Sequence, residues 1–254
     1  MWDIYDSLIV SVDDSIRLKD FAVGTYWTAV LTEDGSLGLA PSVYERYQRF
    51  PFSTDPKPGM LLSEAAAGLK SWNYAEASLA LAAVNAFHNR PERIPAEAEI
   101  YPGGRRSRGA FVKFCEANTK DKHTLFSEPM YERDELHSVP GRIDILRRNQ
   151  DRTYRDYIYT AYRQLIPQCD QVIISGRSLV DKIAGPVFDC AVSCGKKTML
   201  WGMDIPLCSS LLSSGISHIT GFVADDAEKC LQLVKRAATR DEIIRFGHFV
   251  SISG

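Results

Sequence analysis

The chain has 254 residues, of which 45% are hydrophobic and 24% are charged, and its formal net charge is −2. These values are ordinary for globular proteins and argue against a disordered or fibrous chain. The net charge gives no global attraction to phosphate backbones or anionic lipid, so we expect neither a nucleic-acid-binding nor a membrane-surface protein. A chain of this length forms one large or two modest domains without a disulfide framework.

The first residues show no export signal. MWDIYDSLIVSVDD carries acidic residues where a secretory signal needs a basic segment followed by a longer apolar core. No run approaches the roughly eighteen apolar residues of a membrane-spanning helix. We therefore expect a cytoplasmic protein in which the six cysteines are reduced thiols.

The first third of the chain predicts a small α+β unit. Apolar residues between Ile4 and Val12 have the spacing of a helix with one buried face. FAVGTYWTAVL and LGLAP flank Glu33 to Ser36 and predict a β-hairpin, because Asp-Gly favours the positive φ of a tight turn. The three prolines of PFSTDPKPG then predict a loop.

Two helices follow this loop. Ser63 is the expected N-cap of a short helix. A longer helix begins near Ser71 or Asn73 and ends near His88. Periodicity weakens beyond it, and YPGGRRSRG has the composition of an exposed connector.

The second half alternates strands and helices. RIDIL, QVIISG, KKTMLWG, HITGFVA and HFVSIS are short β-rich runs, several of them apolar nearly throughout, as in strands covered on both faces. Helices are predicted between them at 178–194, 206–214 and 225–238. This alternation predicts an α/β fold with a mostly parallel sheet and right-handed connections.

Polar residues follow three of these predicted strands, and Arg147, Arg148 and Asn149 are those that come after RIDIL. Ser178, Asp181 and Lys182 come after QVIISG, and Asp204 comes after TMLWG. Taken singly, Ser178 and Asp204 are best explained as caps of the helices that follow. Ligands nevertheless bind beyond the carboxyl ends of parallel strands, and exposed helix amides favour an anion. Together these residues predict a polar rim suited to a phosphate or carboxylate.

Nucleotide motifs are missing from the sequence. No G-x-G-x-x-G follows a predicted strand and no G-x-x-x-x-G-K-[ST] occurs, which argues against standard NAD and ATP sites. HTLFS, the expected first strand of the sheet, is followed by Glu128 and Pro129, where a dinucleotide fold has its glycines.

Metal-ligand patterns are weak. Cys190 and Cys194 stand four residues apart on one predicted helix and offer two thiolates to a soft metal. Burial of these cysteines as free thiols is the stronger interpretation, because the pair lies opposite the ligand edge with no histidine nearby in sequence. The cofactor stays unknown, with a transition metal or a metal chelate left open.

SWNYAEASLALAAVNA, at 71–86, places bulky polar side chains before a run of small ones. Asn73 and Glu76 have the spacing of an N-cap and its reciprocal acid. Trp72 and Tyr74 at a helix start also fit the edge of a ligand cleft. The residues alone support capping and ligand binding equally.

This segment carries a family resemblance. KSWNYAEASLALAAVNA, the hairpin before it, CDQVIISGRSLVDKI and TMLWGMDIPLCSSLLSSGISHITGFVADD resemble, in order and spacing, the putative heavy-metal chelation family of unknown-function proteins. The resemblance covers most of the chain and is most specific in Ser-Trp-Asn-Tyr-x-Glu-Ala-Ser. It implies an enolase N-terminal-like domain followed by a Rossmann-like domain, with an active site where the two domains meet.

The resemblance also implies a ligand class and shows two departures. The implied ligand is a metal-chelating small molecule that is pterin-, flavin- or siderophore-like. Relatives have a glycine-containing turn where this chain has 126–129, and glycine and proline where it has 201–204. Both departures lie on the ligand rim, so a changed ligand or a lost activity is left open.

We predict a first domain at 1–100, a linker at 101–122 and a Rossmann-like α/β domain at 123–254. The predicted protein binds, and acts on, a small anionic or metal-chelating molecule in the interdomain cleft, with a role in heavy-metal or metallophore handling. A carboxylate partly desolvated beside Trp72 would have a raised pKa, which makes Glu76 the candidate general acid or base. Asn73 is the second catalytic candidate. The predicted substrate-binding residues are Trp72, Ser178, Asp181, Lys182 and Asp204.

Two alternatives remain. One is a metal or metal-chelate binding protein without chemistry, in which carboxylates and Cys208 hold the cargo. The other is an inactive relative that serves as a subunit of a larger assembly. The expected partner is a small-molecule ligand, and self-association of the chain is left open.

Overall fold

A computed structural model describes residues 2–43, 51–102, 107–128, 140–148 and 156–254. The described α-helices are α1 (Asp3–Val10), α2 (Leu62–Ala66), α3 (Tyr74–His88), α4 (Ser107–Thr119), α5 (Tyr162–Leu165), α6 (Gly176–Val180), α7 (Ala184–Ser193), α8 (Ser210–Ser213), α9 (Ala227–Lys235) and α10 (Arg240–Ile243). The described strands are β1 (Leu18–Val23), β2 (Trp27–Thr32), β3 (Leu37–Pro41), β4 (Glu99–Tyr101), β5 (His123–Ser127), β6 (Arg142–Arg147), β7 (Asp156–Ile158), β8 (Gln171–Ile174), β9 (Lys197–Trp201), β10 (Ile216–Ala224) and β11 (Gly247–Ser253).

The smaller sheet is an antiparallel meander of β1, β2 and β3. FAVGTYWTAVL, predicted as one strand, is split between β1 and β2, because the Gly24 N–H bonds the Trp27 carbonyl at 2.9 Å and closes a turn. The predicted hairpin between β2 and β3 is confirmed, with Gly35 at φ +87° in its turn.

Helix α3 lies directly against this sheet. A side chain at Gly38 on β3 would overlap the α3 backbone at Ala82 and Ala86, so both elements need small residues where they meet. The buried Asn85 on α3 donates from Nδ2 to the Leu39 carbonyl on β3 at 2.6 Å, which fixes the distance between the helix and the sheet. The alanines of α3 therefore serve close packing against the sheet.

The larger sheet has the described order β4-β11-β10-β9-β8-β5-β6-β7. Its strands β5 to β10 run parallel, whereas β11 and β4 are antiparallel additions at one edge. From β7 to β10 the order is that of a Rossmann sheet, which reverses between β5 and β8. The mixed α/β class with a mostly parallel second sheet is thus confirmed.

Several elements differ from the sequence-based expectation. The region predicted as a connector contains α4, whose apolar face is short and whose Phe114 ring packs 4.3 Å from the Trp201 ring. Strand β4 pairs with β11 and so joins the larger sheet. The helix predicted at 178–194 is divided into α6 and α7 at Lys182, which has φ +63°.

The two halves of the chain share a hydrophobic core. Buried residues of α1, α2 and α3 form one cluster with those of α6, α7 and the adjoining face of the larger sheet. Tyr5 on α1 adds a hydrogen bond from its hydroxyl to the Leu179 carbonyl at 3.1 Å. The junction is therefore densely packed. No helix in the described ranges has the length and apolar character needed to span a membrane.

Candidate functional site

The crevice between β5 and β8 lies where the sheet order reverses, which is where Rossmann sheets bind ligands. Ser127 at the end of β5 and Ser178 on α6 bring their hydroxyls to 3.0 Å, and Ser178 Oγ also lies 3.1 Å from the Ser127 carbonyl. Ser175, and not Ser178, is the N-cap residue of α6. Capping by Ser178 is thus wrong, because its buried hydroxyl ties the two strand ends together.

Asp204 lies at the start of α6, not at the start of the helix that follows it in sequence. The backbone N–H groups of Gly176 and Arg177 act to lower the pKa of its carboxyl. A Cβ at Gly176 would overlap Asp204, so glycine permits this approach. Burial raises the pKa of Asp204 to about 6, against the stabilising backbone hydrogen bonds and Arg177. The start of α6, which was predicted to attract an anionic ligand, therefore faces the protein's own carboxylate.

Two arginines and two acids form a buried charged group beside the crevice. Arg148 Nη1 lies 3.2 Å from Asp181 Oδ1. Arg177 Nε lies 3.4 Å from Asp181 Oδ2 and 3.7 Å from Glu128 Oε2. Burial raises the pKa of both carboxyls while the arginines oppose that shift. The arginines remain 29% exposed, so they are the charged groups of this set that reach solvent.

Glu128 is a site residue whose role sequence reasoning missed. It adopts φ +49°, a left-handed conformation that favours glycine, and its carboxylate accepts the Arg148 N–H. The Ser175 hydroxyl donates to the Glu128 carbonyl at 2.6 Å. The missing glycine after β5 was the available signal. Pro129 and Asn149, which follow β5 and β6, lie outside the described residues.

Lys182 connects the two domains. Its buried Nζ donates to the Leu69 carbonyl at 2.7 Å and to the Val180 carbonyl at 3.1 Å. Burial lowers the pKa of Lys182 to about 7, although the negative charges of Asp181 and Glu76 act in the opposite direction. The Lys182 amine is thus partly protonated at neutral pH, and it lies between the first domain and the crevice.

Glu76 is buried at the start of α3 and is held through one oxygen. Oε1 accepts the Ser53 N–H at 2.8 Å, the Ser53 hydroxyl at 2.5 Å, the Thr54 N–H at 3.0 Å and the Thr54 hydroxyl at 3.1 Å. Burial acts to raise the pKa of Glu76, but the hydrogen bonds of Ser53, Ser71 and Thr54 outweigh it and hold the pKa below its usual value. The expectation of a raised pKa is therefore wrong.

Asn73 is the N-cap of α3. Its Oδ1 accepts the N–H groups of Ala75 at 3.1 Å and Glu76 at 3.2 Å. The reciprocal bond of a capping box is not made, because the Asn73 N–H bonds the Ser71 hydroxyl at 3.0 Å. The capping interpretation is confirmed for Asn73 and fails for Glu76, whose carboxylate turns toward Ser53.

Tyr74 and Trp72, the two aromatic residues at the start of α3, make different contacts. The Tyr74 ring lies 4.5 Å from the Arg148 guanidinium and thereby joins the first domain to the charged group. Trp72 is 49% exposed and meets the Trp2 ring edge-on at 6.3 Å. The structure therefore leaves Trp72 against Trp2, just before α1. The residues that it brings to one junction are Glu76, Ser178, Asp181, Lys182 and Asp204.

Among the described residues, no group of three or more His, Cys, Asp or Glu is placed to hold a metal ion. Cys208 is buried, with Sγ 3.0 Å from the Ser210 hydroxyl. The acids of the junction are interleaved with Arg148, Arg177 and Lys182. This mixed set suits an organic anion or a complexed metal, because its charges are of both signs.

Comparison with known proteins agrees with this architecture. Two family models, each described as putative heavy-metal chelation, match residues 5–88 and 132–252. The crystal structure of a DUF364-family protein of unknown function from Desulfitobacterium hafniense is 26% identical, with a TM-score of 0.80, and the match covers 100% of this chain and 98% of that one. A DUF364-family protein of unknown function from Pyrococcus horikoshii is 21% identical, with a TM-score of 0.79, over 99% of this chain and 98% of that one. No curated protein matches.

The matched ranges contain both walls of the junction, with α3 in the first and α6, α7 and Asp204 in the second. The likeness to the Desulfitobacterium hafniense protein extends through the whole chain. The chain therefore belongs to the putative heavy-metal chelation family.

Proposed function

We propose that the chain binds a small anionic or metal-chelating molecule at the junction of its two domains and acts on it, in heavy-metal or metallophore handling. One observation carries the proposal. Arg177 Nε and Asp181 Oδ2 make ion pairs but no hydrogen bond in the described part of the chain. Two further buried atoms at this junction, Glu76 Oε2 and Asp204 Oδ2, have no hydrogen-bond partner within the described residues. Such an atom costs about 1–3 kcal/mol, a cost that a bound ligand offsets.

The charges suggest how a ligand is held. Arg148 and Arg177 reach solvent and would meet an anionic group, such as a carboxylate or phosphate, with guanidinium donors. A ligand donor would satisfy Asp181 Oδ2 once Arg177 turns to the ligand. Glu76 is the fixed, ionised carboxylate on the opposite wall, held by the helix start that Asn73 caps. Trp72 lies at the outer margin of the same segment.

Proton transfer is assigned to two groups with opposite starting charges. Asp204 has a pKa of about 6 and Lys182 a pKa of about 7, so each exchanges a proton near neutral pH. Glu76, with its lowered pKa, is a weaker base and acts by stabilising positive charge on Lys182 or on the ligand. Ser178 keeps the strand ends together beneath the ligand.

The test is to purify the chain without added metal and analyse what accompanies it by native mass spectrometry and metal analysis. We expect an organic anion, alone or as a metal complex, that is lost in Arg177→Met. Arg142→Met is the matched control, because Arg142 lies at the opposite end of β6 and pairs with Asp144 at 3.3 Å. Equal retention of the molecule by wild type and Arg177→Met would contradict the assigned site.

A binding protein without chemistry is the second candidate, and the family description favours it. In that case metal is recovered in stoichiometric amount without an organic molecule and is lost on Asp204→Ala or Cys208→Ala. Turnover of the co-purified molecule by wild type, but not by Glu76→Gln, would exclude this candidate.

A further inference from the structure

A pair of thiols lies away from the domain junction. Helix α7 begins at Ala184, and Cys194 follows its last residue, about 15 Å further along the helix axis. Cys194 is exposed and Cys190 is half-buried, whereas the remaining four cysteines are buried. The expectation that Cys190 and Cys194 are simply buried thiols is therefore wrong, and they are the accessible thiols of this chain.

The two thiols are neighbours on one face of the helix. Cys190 and Cys194 are four residues apart, a spacing that places two side chains on the same face of a helix. Cys194 is the C-cap residue of α7, and its N–H bonds the Cys190 carbonyl at 3.0 Å. Gly195, at φ +64°, ends the helix directly after it. Both sulfur atoms are thus presented at one fixed helix end.

Helix geometry favours a bridging ion over a disulfide. Cβ atoms four residues apart in a helix are separated by about 5–6 Å. A disulfide needs about 3.5–4.5 Å between them, so it would require the last turn to unwind. An ion bound to two thiolates at about 2.3 Å each spans up to about 4.6 Å between sulfurs. Such an ion bridges the pair through side-chain rotation alone.

The electrostatic environment disfavours two bare thiolates, and a bridging cation reduces their charge. The carboxyl end of a helix carries a partial negative charge, which stabilises positive charge and disfavours a bare thiolate. Burial and the neighbouring Cys194 thiol raise the pKa of Cys190, while Arg163 on α5 acts in the opposite direction. A bound cation removes the repulsion between two adjacent thiolates, and Arg163 balances the remaining negative charge.

We propose that Cys190 and Cys194 form a second site, which binds a soft, two-coordinate metal ion of the Cu(I) class. Thiolates select such ions over hard cations. Binding of Cu(I) breaks both S–H bonds, forms two S–Cu bonds and releases two protons, with no electron transferred. The site is separate from the junction and does not depend on the function proposed there.

The test is an anaerobic titration of the reduced full-length protein with Cu(I) against a competing Cu(I) chelator. Wild type is compared with Cys194→Ser and with the double variant Val192→Cys/Cys194→Ser. The double variant keeps the number of cysteines but places the second thiol on exposed Val192, two residues from Cys190 and therefore on another face of the helix. Unfolding curves establish that all three proteins are folded.

We expect wild type to bind about one Cu(I) equivalent more than either variant, with a sulfur-only, two-coordinate X-ray absorption signature. Equal binding by wild type and Cys194→Ser would overturn the proposal. Equal binding by the double variant would also overturn it, because any two thiols would then suffice. Any copper bound at the domain junction is bound equally by all three proteins. The difference between wild type and the variants therefore tests only the thiol site, whether or not the function proposed for the junction is correct.

Discussion

The two ends of helix α3 both contact the second domain, but their buried polar side chains differ in how completely they are hydrogen-bonded. At the carboxyl end, Asn89 donates from Nδ2 to the carbonyls of Ile205 at 2.9 Å and Phe222 at 3.1 Å, and its Oδ1 accepts the Leu207 N–H at 2.8 Å. At the amino end, Glu76 keeps one buried oxygen without a partner in the described part of the chain. Asn89 is thus a fully bonded structural contact, and the unpartnered oxygen of Glu76 is where we place a ligand.

The largest expected effect on stability is at the carboxyl end of α3, which we call the structural end. Asn89→Leu removes three hydrogen bonds and leaves two carbonyls and one N–H buried without partners. We expect the free energy of unfolding to fall by about 4 kcal/mol, measured by urea denaturation. Asn118→Ala is the matched control, because the Asn118 side chain donates to the carbonyl of Phe114 within its own helix and the substitution removes that local bond. A loss in Asn89→Leu no larger than in the control would show that the structural end is not critical.

The next effect is a pH dependence at the same end of α3. Burial, reinforced by Arg93 and Arg90, lowers the pKa of His88 to about 4. Ser11 donates its hydroxyl proton to the Leu8 carbonyl at 2.7 Å, so His88 Nε2 donates to Ser11 Oγ, also at 2.7 Å. Both the neutral ring and the imidazolium can donate this bond, so burial beside Arg90 and Arg93 is what favours the neutral imidazole.

The sign follows from proton binding. Between pH 6.5 and about 4 the unfolded chain binds the His88 proton and the folded chain does not, so stability falls as the pH falls. The contribution of His88 is fully present above pH 6.5, and about 3 kcal/mol is lost by pH 4. His88→Gln should flatten the stability profile over this window in urea denaturation. His248→Gln controls for loss of a surface imidazole, and an unchanged slope in His88→Gln would refute the assignment.

A smaller effect, of opposite sign, is expected at the ligand end. Burial raises the pKa of Asp204 from its ordinary value to about 6, so the folded chain binds the extra proton and stability falls as the pH rises from about 4 to 6. Asp204→Asn removes this cost. We expect a gain of about 1 kcal/mol in unfolding free energy at pH 7.5, together with loss of the co-purified ligand. Destabilisation at that pH would mean that Asp204 is a structural cap and nothing more.

Periodicity and turn chemistry predicted the helix and strand order, because α3, β5 and β8 to β11 carry strong local patterns. The Rossmann order of the larger sheet needed tertiary pairing that no local pattern contains. For the site, Lys182 and Asp204 were predicted by their positions after strands. Their bonds were not predictable, because Leu69 and Gly176 are distant in sequence from their partners.

Glu128 and the pKa of Glu76 show the remaining limit. Glu128 enters the site through a left-handed backbone, and the missing glycine marks the position but not the bonds that the glutamate makes. The low pKa of Glu76 depends on hydrogen bonds from Ser53 and Thr54, more than twenty residues earlier in a loop whose sequence predicts only that it is not helical. Burial can be inferred from a sequence pattern, whereas the donors that compensate burial cannot.

The smallest expected change in stability is at Glu76, where the effect on function should be greatest. Glu76→Gln keeps an oxygen able to accept the Ser53 and Thr54 hydrogen bonds and removes the charge that acts on Lys182. We expect the unfolding free energy to change by less than about 1 kcal/mol, because loss of charge-assisted bonds is balanced by relief of the buried charge. Turnover of the co-purified molecule should be abolished. Ser53→Ala is the matched control, since it removes a hydrogen bond and keeps the carboxylate. If Glu76→Gln retained full turnover, Glu76 would belong with Asn89 among the structural contacts, and the contrast between the two ends of α3 would lose its functional meaning.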